Sequence, residues 1–307
     1  MTTKRIITSK ELWMKLTQGE YKKIIEYASK RENDLDVQIR DNYLNIYYRG
    51  GNLLRIHPRS LFFDEFYFHR GSVNIRKTRL IERANSGDQE CMAKWDSYKR
   101  QRNDVLNLLK EKDGMDTFYV RMKREMDGWE CDLNKIGIYH DEKNEQQHIS
   151  MNNRGNTLYT VIDLEYAVST TSNFHYNGKL GKKVPRFDII AVDKEGQLYV
   201  IELKTGLGAI ANESGIGPHM DCFEHSIGRD EQNEFANEMH DQLEQKKSLH
   251  LIDKTTYIDI NKKPQFIFAF SDKPGENHYK DFIQTCKDKG YTGKVIYLDN
   301  SHVLKDL

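Results

Sequence analysis

Residues 186–204 constrain the fold more than any other part of the chain. They read Arg186-Phe187-Asp188-Ile189-Ile190-Ala191-Val192-Asp193, then Lys194-Glu195-Gly196, then Gln197-Leu198-Tyr199-Val200-Ile201-Glu202-Leu203-Lys204. The central triplet fits a three-residue hairpin loop with Gly196 in the left-handed position. That loop opposes Asp193 to Gln197. Extending the ladder outward opposes Asp188 to Glu202, with Cβ atoms roughly 5 Å apart. Strand alternation puts Lys204 on the same face, one step further out. Near the turn both faces are apolar, with Ile189, Ala191, Tyr199 and Ile201 on one and Ile190, Val192, Leu198 and Val200 on the other. Such strands belong in the middle of a sheet. A one-residue slip would send Asp188 and Glu202 to opposite faces, so the register carries the argument.

Two carboxylates opposed at the end of a central hairpin repel each other, and each costs several kcal/mol to bury unless something compensates. A divalent cation is one compensator: Mg²⁺ takes oxygen ligands and often only one or two carboxylates, with water and substrate phosphate completing the shell. The alternative is that Lys204 neutralises Glu202 while Asp188 bonds to backbone at the sheet end.

The rhythm of the remaining chain places this hairpin in an α/β layer. A helix is predicted over 141–155, a strand over 159–168, a helix over about 232–250, a strand over 265–271, a helix over 278–289 and a strand over 294–298. Residues 205–228 are Gly-rich and read as a loop beside the hairpin, able to close over a substrate; they lack the GxxxxGK[ST] pattern of a phosphate-binding loop. His219, Cys222 and His225 could suggest zinc, but the spacing is not a standard one and no fourth ligand is evident. Upstream, residues 9–31 read as helix interrupted near Gly19. Residues 37–56 read as strands with turns at Asp41-Asn42 and Gly50-Gly51-Asn52, 61–68 as a further strand, and 89–112 as helix. The expected fold class is α/β, a mixed β-sheet flanked by helices, with an N-terminal α+β region. The boundary falls between 1–125 and 126–307.

Composition narrows the class further. Hydrophobic residues make up 37% and charged residues 31% of 307, and no apolar run approaches 18 residues, so no membrane span is expected. The N-terminus lacks the apolar core of a secretory signal. Cys91, Cys131, Cys222 and Cys286 are widely spaced without a CxxC pair, which points to a reducing, cytoplasmic setting. The net charge is zero, but residues 37–124 hold 18 Lys or Arg against 11 Asp or Glu. Lys94, Lys99, Arg100 and Arg102 cluster within that half. A basic part beside an acidic part fits a phosphate grip next to a metal site, although solvated helix faces can also differ in charge by chance.

With Asp188 following Pro185 by three residues and Glu202-Leu203-Lys204 on the next strand, the chain resembles the PD-(D/E)xK nuclease superfamily, which has the restriction-endonuclease-like fold. The resemblance covers about residues 141–300 and includes the element order; the proline does not immediately precede the aspartate. It implies a nuclease hydrolysing phosphodiester bonds of DNA, or of RNA, with Mg²⁺ or Mn²⁺. Asp188, Glu202 and the carbonyl of Leu203 would hold the metal, and Lys204 would orient the attacking water or stabilise developing charge. Glu145, on the helix before the strands, matches a further acid found in family members. Asp163 and Glu165 share a strand face, and Glu165 is the better candidate ligand. Gln242, four residues before Lys246, matches a glutamine that some members carry. Nucleic acid, DNA first, is the expected partner, with a homodimer open as an oligomeric state. The rival reading is an inactive nuclease-fold protein that binds nucleic acid or a protein partner. A scaffold role for the N-terminal half is a third.

Overall fold

A computed structural model of the chain describes residues 4–69, 77–111, 114–135, 141–155, 157–168, 175–176, 179–180, 186–206, 215–271 and 277–305. The N-terminal half opens with α1 (Lys10–Thr17) and α2 (Lys22–Ser29). Ser9 starts α1 by accepting a hydrogen bond from the Leu12 N–H, and the chain breaks at Gly19 as its sequence requires. An antiparallel sheet follows in the order β1 (Asp36–Arg40), β2 (Tyr43–Tyr48), β3 (Gly51–His57) and β4 (Ser60–Phe62). Three helices close this half: α3 (Lys77–Asn85), α4 (Gln89–Leu108) and α5 (Gly114–Asn134).

The C-terminal half begins with α6 (Asp141–Asn152) and β5 (Tyr159–Ala167). A short ribbon, β6 (His175–Tyr176) and β7 (Lys179–Leu180), comes before β8 (Arg186–Asp193) and β9 (Leu198–Thr205). Then come α7 (Ile216–Phe223), α8 (Glu234–Ser248), β10 (Gln265–Ser271), α9 (Tyr279–Asp288) and β11 (Val295–Tyr297). The five-stranded sheet has the order β11-β10-β9-β8-β5. β10 runs parallel to β9 and β11, and β8 antiparallel to β9 and β5. The sheet is therefore mixed, with the predicted hairpin near its centre. One apolar face packs on α7 and α8 through Ile190, Val192, Val200, Cys222, Met239 and Leu243. The other carries Ile189, Ile201, Leu203 and Ile267 against Ile149 of α6 and Leu304.

Two local expectations change. The strand expected over 61–68 stops at Phe62, because the Asp64 side chain accepts from the Phe66 N–H and caps a 3₁₀ turn over Glu65–Phe68. The loop expected over 205–228 contains α7, continued by a π-helical turn to Gly228, because Ile216, Cys222, Phe223 and Ile227 are buried in the cores that line the sheet. Residues 207–214 of that loop lie outside the described residues. The basic cluster on α4 is largely matched by acids: Lys94 with Glu90, Lys99 with Asp96 and Arg102 with Glu65. Among the described residues no helix is long and apolar enough to cross a membrane.

The two halves meet through buried polar groups. Asp163 of β5 is fully buried and receives Arg40 of β1 at 2.6 Å and Arg5 at 3.2 Å. Lys246 of α8 donates to Gln38 Oε1 at 2.8 Å and to the Ile162 carbonyl. Burial lowers the Lys246 ammonium to about 8, with the charges of Asp36 and Asp163 working against that. Arg154 pairs with Asp36 at 3.0 Å, and Ser150 of α6 bonds the same carboxylate. At the β2–β3 turn, Gly50 has φ +70° and packs so closely on α6 that a Cβ there would lie 2.7 Å from Lys143 Cβ. Removing one partner of a buried ion pair leaves a charge uncompensated. Arg40→Met is therefore expected to lower the unfolding free energy by about 3 kcal/mol in chemical denaturation, on the scale of other broken buried pairs. A loss below about 1 kcal/mol, the range of surface pairs, would contradict this role for the pair.

Candidate active site

The hairpin has the register its loop dictates. Gly196 takes φ +79° and its N–H donates to the Asp193 carbonyl. The Asp193 carboxylate accepts from the N–H groups of Glu195 and Gln197, which closes the turn. Pairs run from Val192↔Leu198 to Ile189↔Ile201, so the next pair outward is Asp188 with Glu202. All three residues at this end are buried: Asp188 is 8% exposed, Glu202 3% and Lys204 4%.

Each carboxylate has its own support. Asp188 Oδ2 accepts from the backbone N–H of Leu203 at 2.8 Å, and Oδ1 accepts from the Gln146 amide of α6 at 2.8 Å. Glu202 Oε1 accepts from Lys204 Nζ at 2.7 Å and lies 2.8 Å from His219 Nε2 of α7. His219 Nδ1 faces the Gly215 carbonyl at 2.9 Å. The ring of His219 is thus held between Glu202 and the Gly215 carbonyl. Glu202 Oε2 is buried and has no hydrogen-bond partner among the described residues.

The two acids are driven in opposite directions. Burial pushes Asp188 well above the ordinary carboxylate range, and the charges of Glu202 and Glu142 add to it; Lys204 and the Leu203 N–H only partly oppose them. Burial also pushes Glu202 up, but hydrogen bonds and charge from His219 and Lys204 outweigh it and hold this acid below its usual value. Neighbouring acids pushed apart in this way are a mark of functional sites, though structural ion pairs produce it too.

The other candidates from sequence divide. Glu165 reaches the edge of the cluster. It stands between Leu164↔Ile189 and Tyr166↔Phe187, in register with Asp188, and pairs with Lys143 at 3.4 Å and Arg186 at 3.8 Å. It does so with φ +49°, so it does not share a simple strand face with Asp163. Glu145 points elsewhere, accepting from Ser271 Oγ at 3.1 Å and lying 3.0 Å from His302 Nδ1. Glu142, one turn earlier on α6, is the helix acid whose charge is felt by Asp188. Its own carboxyl is raised, chiefly by desolvation, with Lys204 lowering it and Glu202 and Glu165 raising it. Gln242 is fully buried in the junction between halves, where its amide donates to the Ile39 carbonyl at 3.4 Å. Leu203 engages the cluster through its N–H. Sequence reading missed Glu142 and Gln146, and missed the contact of His219 with Glu202. The first two lie four residues apart on one face of α6, a spacing that could have been read. His219 was noted in sequence only as a possible zinc ligand in a segment read as a loop, not as a partner of Glu202.

The donor set suits a hard cation. Glu202 Oε2 is an unused buried oxygen, and Asp188 stands opposite Glu202 in the ladder. Among the described residues no group of three or more His, Cys, Asp or Glu side chains is arranged to hold a metal, so water and substrate would supply the remaining ligands. Mg²⁺ accepts such a shell. His219, Cys222 and His225 form no zinc cluster: Cys222 is a buried core thiol pushed up to about 12, and His225 Nδ1 sits on the Asp221 carbonyl. In comparisons with known proteins, the chain matches no family model, no curated protein and no solved structure.

An acid raised in the folded state stabilises most while protonated, and that stability is lost as pH rises from 3.8 toward the folded value. Asp188→Asn cannot ionise. It is expected to melt higher than the parent at about pH 7 without divalent ions, with the gap closing as pH falls to about 4, near the unperturbed value. Melting curves across that range check this; a gap that widens toward low pH would contradict it.

Proposed function

We propose that this chain is a metal-dependent nuclease with the restriction-endonuclease-like core, cutting phosphodiester bonds of DNA, with RNA as the alternative substrate. The observation that carries the reading is the buried pair Asp188 and Glu202, with Lys204 at 2.7 Å from Glu202 and an unused oxygen on that glutamate. Asp188 and Glu202, with the Leu203 carbonyl implied by the family resemblance, would hold Mg²⁺ or Mn²⁺. When bound, such an ion lowers the pKa of a water and polarises the scissile phosphate. Gln146 and the Leu203 N–H fix the Asp188 carboxylate. His219 fixes Glu202 from the α7 side. Lys204 is a compact charge whose remaining N–H groups can orient the water or bind the oxygen on which charge develops.

One observation favours a second reading, a nuclease-fold protein that binds without cutting. Lys204 and His219 both engage Glu202 Oε1, which neutralises the acid internally. Two substitutions separate the readings. Glu202→Ala is expected to abolish cleavage and weaken divalent-ion binding together. Lys204→Ala is expected to leave ion binding largely intact while slowing cleavage by about 100- to 1,000-fold, the worth of a single electrostatic group. Calorimetry with Mg²⁺ and Mn²⁺, beside cleavage assays on single-stranded and duplex DNA and RNA, measures both. A parent protein that neither binds the ions with substrate present nor cuts any of these substrates would leave the binding-only reading.

A further inference from the structure

The buried face of α7 brings a nitrogen donor to the acid cluster. Ile216, His219, Cys222 and Phe223 recur there at helical spacing. Ile216, Cys222 and Phe223 are buried in the cores that line the sheet. His219 is turned the same way, with its side chain 14% exposed, and its Nε2 lies 2.8 Å from Glu202 Oε1.

The contacts of this ring are those of a metal ligand. A histidine that binds a metal donates its other ring N–H to a carbonyl or carboxylate, which fixes the tautomer and the orientation of the ring. Here Nδ1 lies 2.9 Å from the Gly215 carbonyl, at the start of the same helix. With the hydrogen on Nδ1, Nε2 presents a lone pair. That lone pair then faces a carboxylate oxygen, and the two atoms need something positive between them. A proton on Nε2 meets that need, and so does an ion that takes both residues as ligands. The 2.8 Å between them is close to the roughly 3 Å that separates neighbouring ligands held about 2.1 Å from one ion. Glu202 also keeps Oε2, buried and without a hydrogen-bond partner among the described residues. The carboxylate can therefore bind an ion without releasing Lys204, which sits 2.7 Å from Oε1.

We infer that His219 is a nitrogen ligand of the cation held at Glu202, and that it biases the site toward Mn²⁺ over Mg²⁺. None of the ligands implied by the family resemblance is a histidine; they are carboxylates and a carbonyl. An all-oxygen set of that kind suits Mg²⁺. First-row transition ions, Mn²⁺ among them, accept imidazole nitrogen beside oxygen. Among the described residues no group of three His, Cys, Asp or Glu is arranged around one point, so a single nitrogen weighs heavily among the few protein ligands. The inference rests on the metal-dependent reading above and names the ion which that site prefers.

The test uses the full chain with Mn²⁺ or Mg²⁺ alone, and compares the parent with His219→Gln, whose amide keeps a hydrogen-bond donor for Glu202. Electron spin-echo envelope modulation of bound Mn²⁺ is expected to show a directly coordinated nitrogen in the parent and none in the variant. In calorimetry, His219→Gln should weaken Mn²⁺ by about tenfold or more, the scale of lost histidine support at a metal, and Mg²⁺ far less. Melting curves verify that the variant is folded. Mn²⁺ bound without a nitrogen signal, a signal that persists in the variant, or equal weakening of both ions overturns the inference and leaves His219 a positioning residue. Cleavage assays keep the two ideas apart. A parent that binds Mn²⁺ through nitrogen yet cuts nothing supports the histidine ligand while the nuclease reading falls. A parent that cuts but holds Mn²⁺ through oxygen alone keeps the nuclease reading and overturns the ligand. A parent that binds neither ion overturns both.

Discussion

Burying two carboxylates side by side at the end of a central hairpin is the demand around which this protein is arranged. Asp188 and Glu202 belong to strands that are apolar on both faces, so neither acid can turn out to water without moving the sheet. The surroundings divide the burden unequally. Glu202 receives Lys204 and His219 and stays ionised below its usual range, while Asp188 receives only neutral donors and is pushed up. No cation bonds Asp188 directly; Lys143 and Arg186 on that side reach Glu165. It is there that Glu142 and Glu165 gather, and that a cation would relieve the most repulsion.

The N-terminal half is tied to this arrangement and is not a separate appendage. Its first strand supplies Arg40 to Asp163, and its β2–β3 turn abuts the helix that carries Gln146. Buried ion pairs of this kind add little net stability over an apolar core, yet removing one partner is expensive, which makes them good at fixing a single docking geometry. Here the geometry that is fixed includes the placement of α6, whose Gln146 bonds Asp188. On α4, Lys94, Lys99 and Arg102 are paired with Glu90, Asp96 and Glu65.

How much of this was legible from sequence follows from the range of each interaction. The hairpin is local: a loop of known length and a period of two set the opposition of Asp188 and Glu202 with no knowledge of the rest of the chain. The helix acid is not local. That α6 precedes the strands could be read, but the rotation of a helix about its axis is set by tertiary packing. One turn therefore separates the expected Glu145 from Glu142. Gln242 and Lys246 kept the expected spacing but face the N-terminal sheet, whose docking no periodicity reveals. Glu165 reaches the cluster through a left-handed backbone, which an alternation rule cannot produce. His219 was visible only as a possible zinc ligand, because the helix α7 that turns it toward Glu202 was read as a loop.

We propose that the acid cluster binds a divalent cation, and an ion that binds only the folded protein must stabilise it. The most direct measurement is the melting temperature of the parent and of Glu202→Gln, each in EDTA and in Mg²⁺ or Mn²⁺. The account predicts that the ion raises the melting temperature of the parent and does so much less in the variant, which keeps the shape but loses the anionic oxygen. A parent indifferent to both ions, or a variant stabilised as much as the parent, would contradict it.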